Sequence, residues 1–315
     1  MSKMEYLKDM PVAVLGGGAV GKTCAADIKL AGREVRLYDV MPFAEKSLKD
    51  LDKTGILFDG IQRNRDCFER SGRAFIDVVT TDIEKAIKGA GHIVVSCGSW
   101  GHEAMFRAMI PYLEDGQVVN VFADNFGALL LRRLMREMGC TKKIIVGGWS
   151  SAPYGTRLES IGKCVFPHVS AKYRAITLRG AALPMTDTDD FLEASKHLPC
   201  MDAVTNGDGP SKANTILDVD FANVNPVIHV PATILGVFTM ENWGVIFGGH
   251  DKTTYSMYSH GLCPSICEVQ YQFYNEEIAL AEAIGVGTPK YKKEMFFSRR
   301  SVLTQEYMGL DENGN

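Results

Sequence analysis

Gly16, Gly18 and Gly21 stand in the order GxGxxG, directly after the apolar run Val12 to Leu15 and at the head of the helical pattern Val20 to Leu30. There the first glycine permits a tight turn, the second lets the backbone approach a pyrophosphate, and the third lets helix and strand pack closely. Unpaired N–H groups at the helix start, around Ala19 and Val20, offer the phosphates the positive end of the helix dipole. The spacing alone is weak evidence, since glycines are common at turns; its place between strand and helix makes a dinucleotide the reading. Asp39 closes the next apolar run, Glu34 to Asp39, where a carboxylate accepts hydrogen bonds from both adenine-ribose hydroxyls and repels a 2′-phosphate. Val40, Met41 and Pro42 follow instead of arginines, so the expected cofactor is NAD over NADP, with Arg36 and Lys46 near enough to keep NADP open.

The loop Ser96 to His102 follows a later apolar run, at the edge of the sheet where such cofactors lie. Its small residues, Cys97 and Ser99 among them, are expected beside the nicotinamide ribose. Nothing places a base beside Cys97, so it reads as a packing thiol and not a nucleophile. His102 has two readings, a helix-start histidine near the phosphates or a satisfied surface residue. Oxidoreductase chemistry also needs a group that gives or takes a proton, and histidine does so near neutral pH. His229 lies four residues after Asn225 in the apolar stretch Asn223 to Pro231, a spacing that puts amide and imidazole on one helix face. The alternative is Asn225 as an N-cap before Pro226 and His229 as a buried structural residue.

Two kinds of segment must position these groups. From Pro11 to about Thr205, short apolar runs alternate with helical patterns, the mark of an α/β, mainly parallel, doubly wound sheet of the Rossmann type. His92 to Cys97, Val118 to Phe122 and Lys143 to Gly147 continue that sheet, and Cys164 to Val169 with Arg174 to Arg179 suggest an antiparallel addition at one edge. After Asn206-Gly207-Asp208-Gly209-Pro210 the alternation ends and helices separated by Pro and Gly take over, Ile266 to Ile284 the clearest. The expected domains are 1–205, binding NAD, and 206–315, an all-helical substrate and catalytic domain.

Composition excludes several classes. With 46% hydrophobic and 23% charged residues the chain reads as globular, and 34 Lys+Arg against 38 Asp+Glu leave a net charge of -4, without the basic excess of a nucleic-acid binder. Met1 to Met10 has no apolar core for a signal peptide, and no stretch reaches the roughly 18 apolar residues of a membrane span. The eight cysteines are scattered without a framework, and the Cys263-Cys267 pair lacks a second Cys/His pair at zinc spacing, so a reducing cytoplasm and no metal are expected.

The order of motifs resembles the octopine/nopaline (opine) dehydrogenase family. Asn225 to Pro231 is similar to its Asn-x-x-x-His-Pro segment, with Val230 here between His229 and Pro231. Tyr258-Ser259-His260-Gly261-Leu262-Cys263-Pro264-Ser265 is similar to its Tyr/Phe-x-x-Gly-Leu-Thr-Pro-Ser turn, with Cys263 in place of Thr. Pro153-Tyr154-Gly155-Thr156-Arg157 and Asn125-Phe126-Gly127 resemble further family motifs. The resemblance implies reductive condensation of an α-keto acid with the amino group of an amino acid or amine, by hydride transfer from a nicotinamide to an imine. It makes His229 the catalytic acid/base, and Asn225 and Arg157 candidates for orienting carboxylates, with Tyr154 a substrate-binding candidate beside them; a salt bridge is the other reading of Arg157. It also implies a later carboxylate paired with the histidine, for which Glu306 in Leu303-Thr304-Gln305-Glu306 is the candidate, although Asp311 to Asn315 looks like a loop cut in mid-course. A homodimer is a candidate assembly. A keto-acid or 2-hydroxyacid reductase needing no amine and a non-catalytic NAD-binding protein are the rival readings.

Overall fold

The computed structural model describes residues 2–60, 70–158, 167–248 and 254–297, the side chain of residue 259 excepted. The chain divides into two compact units, Met1–Asp220 and Phe221–Asn315.

Among the described residues the first unit has twelve short strands: β1 (Val12–Leu15), β2 (Val35–Tyr38), β3 (Ile56–Asp59), β4 (Gly72–Ala74), β5 (Val78–Thr80), β6 (His92–Val95), β7 (Val118–Phe122), β8 (Ile145–Trp149), β9 (Tyr154–Leu158), β10 (His168–Arg174), β11 (Thr177–Ala182) and β12 (Gly209–Lys212). Eight of them form one sheet in the order β12-β11-β8-β7-β6-β1-β2-β5. β5, β2, β1, β6, β7 and β8 run parallel. Their middle members are buried at every position because helices cover both faces, which is why they read as unbroken apolar runs. The chain returns across β1 between β2 and β6, the switch point at which such sheets take up ligands.

Between strands lie α1 (Ala19–Leu30), α2 (His102–Met109), α3 (Gly127–Glu137), α4 (Thr188–Ser195) and α5 (Ile216–Asp220). Helix α3 shows how the stripe works: Leu131, Leu134 and Met135 enter the core, while Arg133 and Glu137 pair on the outer face.

The edge differs from expectation. β11 does add antiparallel to β8, but β10 belongs to a second sheet, β4-β3-β10-β9. That sheet is held to α1 by a buried ionic group. Asp27 on α1 bonds Arg174 of β10 at 2.8 and 3.1 Å and Arg70 at 2.7 Å. Burial alone would raise the Asp27 carboxyl, but the two guanidinium groups outweigh it and hold it below the usual carboxylate range. β12 and α5, beyond residue 205, are counted with the first unit.

The second unit contains α6 (Asn225–Glu241) and α7 (Pro264–Ala283), packed on each other and joined by a short helix Trp243–Ile246 and a single π turn Met257–Gly261. The stretch Ile216–Glu241 is apolar enough for a membrane span by length and composition. The turn at 221–224 breaks it into α5 and the 17 residues of α6, about 26 Å of helix against a hydrocarbon core of about 30 Å.

Candidate active site

The nucleotide turn divides its glycines by task. Gly16 adopts φ +114°, open only to a residue without Cβ, and a Cβ there would press on the Cys97 backbone nitrogen at 3.1 Å. A Cβ on Gly21 would lie 1.8 Å from the Gly16 carbonyl oxygen, so strand end and helix touch backbone to backbone. Gly18, the N-cap of α1, has nothing within 4 Å of its would-be Cβ and is exposed, leaving room for a pyrophosphate beside the first N–H groups of α1, those of Ala19 and Val20. These residues fit a dinucleotide.

Asp39 sits at the carboxyl end of β2, 8% exposed, accepting from the Val40 N–H at 2.9 Å and from the Ser47 hydroxyl. Gly17 lies flush against it: a Cβ there would meet Ser47 Oγ at 2.8 Å and Asp39 Oδ2 at 2.9 Å. Ser47 and Gly17 escaped sequence reasoning, which followed only the glycine spacing and the acid. Two exposed aromatic rings, Phe43 after β2 and Trp100 after β6, meet across this end of the sheet with centroids 5.6 Å apart. Exposed aromatics in both loops were the available sequence signal.

Cys97 and Ser99 follow β6 in the loop that abuts the Gly16 turn. Burial pushes the Cys97 thiol up to about 11, which keeps it a thiol and not a nucleophile. His102 is the first residue of α2, as one of its two readings had it, and is not a surface residue: it is 1% exposed and packed on Phe106, and burial lowers its pKa.

The turn after β7 holds a feature the sequence did not reveal. Asn125 and Phe126 both have positive φ, +47° and +62°, an unfavourable backbone for a phenylalanine. Asp220 accepts the Phe126 N–H at 2.7 Å and Asp124 accepts that of Ala128 at 2.9 Å, fixing the turn and the start of α3. The two carboxyls are close enough for the charge of one to act on the other. Burial first, then the charge of Asp220, drives Asp124 well above the carboxylate range, and burial raises Asp220 to about 6. An Asp just before a helix start was the sequence signal for Asp124; nothing local marked Asp220.

The expected substrate groups on β9 separate. Tyr154 is 4% exposed and its hydroxyl donates to Asp27 in the buried ionic group, so its polar atom is taken up by the packing of α1 on the second sheet and is not placed to bind substrate. Arg157 is exposed, with Nη1 donating to the Thr156 carbonyl at 2.9 Å.

In the second unit, Asn225 is the first residue of α6 and Pro226 the next, where a missing N–H costs nothing. The capping role falls to Asn223, whose Oδ1 accepts the Asn225 N–H at 3.1 Å and its side-chain amide at 2.6 Å. Asn225 is thus not the N-cap. His229, one turn on, is half-buried, with Nε2 3.1 Å from the Tyr258 hydroxyl and the rings edge-to-face at 82°. Buried Gln270 on α7 donates to the Ile228 carbonyl at 2.7 Å, fixing α6 beside His229. The π turn presenting Tyr258 is closed against Tyr255, whose hydroxyl would lie 2.5 Å from a Cβ on Gly261. Glu306 lies outside the described residues.

A family profile described as NAD/NADP octopine/nopaline dehydrogenase, alpha-helical domain, matches residues 212–307. An opine dehydrogenase of Arthrobacter sp. (strain 1C) is 28% identical over 303 residues, 94% of this chain and 75% of that protein. Octopine dehydrogenase in complex with NADH and agmatine matches with a TM-score of 0.62 at 20% identity, over 94% of this chain and 69% of that one. NADP+-bound yersinopine dehydrogenase matches with a TM-score of 0.65 at 15% identity, over 92% and 68%. The resemblance to the opine dehydrogenase family and the α/β Rossmann plus helical fold class drawn from the sequence are both borne out.

Proposed function

We propose that this protein, similar over most of its length to an opine dehydrogenase, is an NAD(H)-dependent oxidoreductase acting on a CH–NH bond, joining an α-keto acid to the amino group of an amino acid or amine. The observation that carries the reading is His229, half-buried with its Nε2 3.1 Å from the Tyr258 hydroxyl. That pair joins the two family-like motifs of the second unit in one proton-transferring group.

Amine and keto acid condense to an imine with loss of water, and hydride addition to the carbon of the imine, protonated on nitrogen, completes the secondary amine. His229 polarises the keto oxygen as a proton donor and gives the proton with which that oxygen leaves as water; Tyr258 holds the imidazole and links it to further proton exchange. Asn225, on the same face one turn before His229, and the forked guanidinium of Arg157 are the groups for the substrate carboxylates. Glu306 is the candidate carboxylate for orienting His229. When bound, the reduced nicotinamide supplies the hydride; Gly16, Gly18, Gly21 and the Ala19 and Val20 amides take its pyrophosphate, Asp39 with Ser47 the adenine ribose, and Cys97 and Ser99 flank the nicotinamide ribose. Phe43 and Trp100 offer apolar faces to the adenine ring. The described cysteines are free thiols, in keeping with a reducing cytoplasm.

NADH oxidation with pyruvate, measured with and without a panel of amino acids and amines, tests the reading. Oxidation is expected only when an amine accompanies the keto acid. Equal rates without amine would make the protein a keto-acid reductase instead.

A further inference from the structure

Lys22 is an unusual lysine. It follows Gly21 in the first turn of α1, is only 4% exposed, and donates through Nζ to the Gly17 carbonyl. Among the described residues no carboxylate lies within ion-pair distance of it. Burial lowers its pKa to about 8, and the nearby charge of Asp39 is what opposes that shift. Gly16 to Thr23 also satisfies the spacing GxxxxGK[ST] of triphosphate-binding loops, in which the lysine reaches phosphates and the hydroxyl a magnesium ion. Here the Thr23 hydroxyl is engaged by the Ala19 carbonyl at 2.8 Å and by Thr156 at 2.6 Å, and the lysine is folded back onto the turn. The cation serves a different place.

That place follows from Gly17. The peptide whose carbonyl holds the Lys22 ammonium is also the one that a Cβ would drive into Asp39 Oδ2 and Ser47 Oγ. The ammonium is therefore anchored on the residue against which Asp39 and Ser47 pack, with one of its three donors on Gly17 and within the electrostatic reach of Asp39. We propose that Lys22 is a specificity-determining residue: a built-in cation for a 2′-phosphate, masked by Asp39, so that one carboxylate alone makes this protein prefer NADH. A dianionic 2′-phosphate brought against Asp39 meets like charge. Without that carboxylate, it meets the Lys22 ammonium and the Ser47 hydroxyl, and compensates a buried charge that has lost its neighbour. No arginine need be added to change cofactor. The inference rests on the dinucleotide reading of the glycine turn.

Fluorescence titration of NADH and NADPH against wild type, Asp39→Ser, Lys22→Met and the double variant tests it without any turnover. Asp39→Ser is expected to bind NADPH about tenfold or more tighter than wild type does, and Asp39→Ser/Lys22→Met to lose that gain. Thermal melts of Lys22→Met, in which an apolar chain of similar length replaces a buried charge, check that the fold is kept. If the double variant binds NADPH as tightly as Asp39→Ser, or Asp39→Ser gains nothing, Lys22 has no such role. If wild type binds neither dinucleotide, the cofactor reading itself falls and this inference with it.

Discussion

The buried carboxyl groups of Asp124 and Asp220 brace one turn from two sides, Asp220 at the last residue of α5 accepting the Phe126 N–H at 2.7 Å and Asp124 after β7 accepting the Ala128 N–H at 2.9 Å. Burial raises both carboxyls and the charge of Asp220 raises Asp124 further, so the pair retains a proton. The retained proton lets the pair hold the left-handed Asn125-Phe126 turn, through the Phe126 and Ala128 amides, without repulsion.

The pair makes stability fall as pH rises. Both folded pKa values lie above the ordinary aspartate value, Asp220 at about 6 and Asp124 well above the carboxylate range. The unfolded chain releases its protons first, so stability is greatest below about pH 4 for this pair and declines from there through pH 6 and above. Replacing Asp220 by Asn keeps an acceptor for the Phe126 amide and gives Asp124 a permanent donor. Melting temperatures between pH 5 and 8 should fall less steeply in Asp220→Asn, which should be more stable than wild type at pH 8 by on the order of 1–3 kcal/mol. Parallel profiles for the two proteins would mean that the pair does not share a proton.

Much of this architecture is written locally, and the rest is not. The parallel strands and the glycine turn are short-range patterns: apolar runs buried on both faces, and a turn whose residues have fixed conformational tasks. His229 and Asn225 could be joined because helical spacing puts them on one face, whereas Tyr258 reaches His229 only through the fold of α6 on the π turn. Tyr154 shows the converse. Its motif suggested a substrate group, but the partner that claims its hydroxyl, Asp27, is on a helix distant in sequence. The same holds for Arg174 and Arg70, whose shared partner Asp27 lies far from both in the chain. Buried polar pairs are satisfied over long sequence separations, so they leave no periodic trace.

The three glycines of the nucleotide turn should fail differently. Gly21→Ala would put a methyl 1.8 Å from a backbone carbonyl, so both stability and NADH binding should be lost. Gly18→Ala meets no atom within 4 Å, so its melting temperature should match wild type while NADH affinity drops about tenfold or more, because the methyl occupies the approach of the pyrophosphate. Gly17→Ala should displace Asp39 and Ser47 and weaken NADH with a smaller loss of stability. Thermal melts and NADH fluorescence titrations of the three variants check this. An unaltered affinity in Gly18→Ala would place the phosphates elsewhere.

His229 and Tyr258 should separate chemistry from binding. Removing a general acid/base costs roughly 10²–10⁴-fold in turnover, so His229→Ala should lower kcat by that factor while the Kd for NADH stays within about twofold. Tyr258→Phe keeps the edge-to-face ring and removes only the hydroxyl bonded to Nε2. It should lower kcat about tenfold, since the imidazole loses the hydroxyl that holds its orientation, while melting temperature stays close to wild type. A turnover loss in His229→Ala matched by loss of NADH binding and of thermal stability would mark the histidine as structural. In that case the proton would have to come from another group, and Tyr258→Phe would leave kcat where it was.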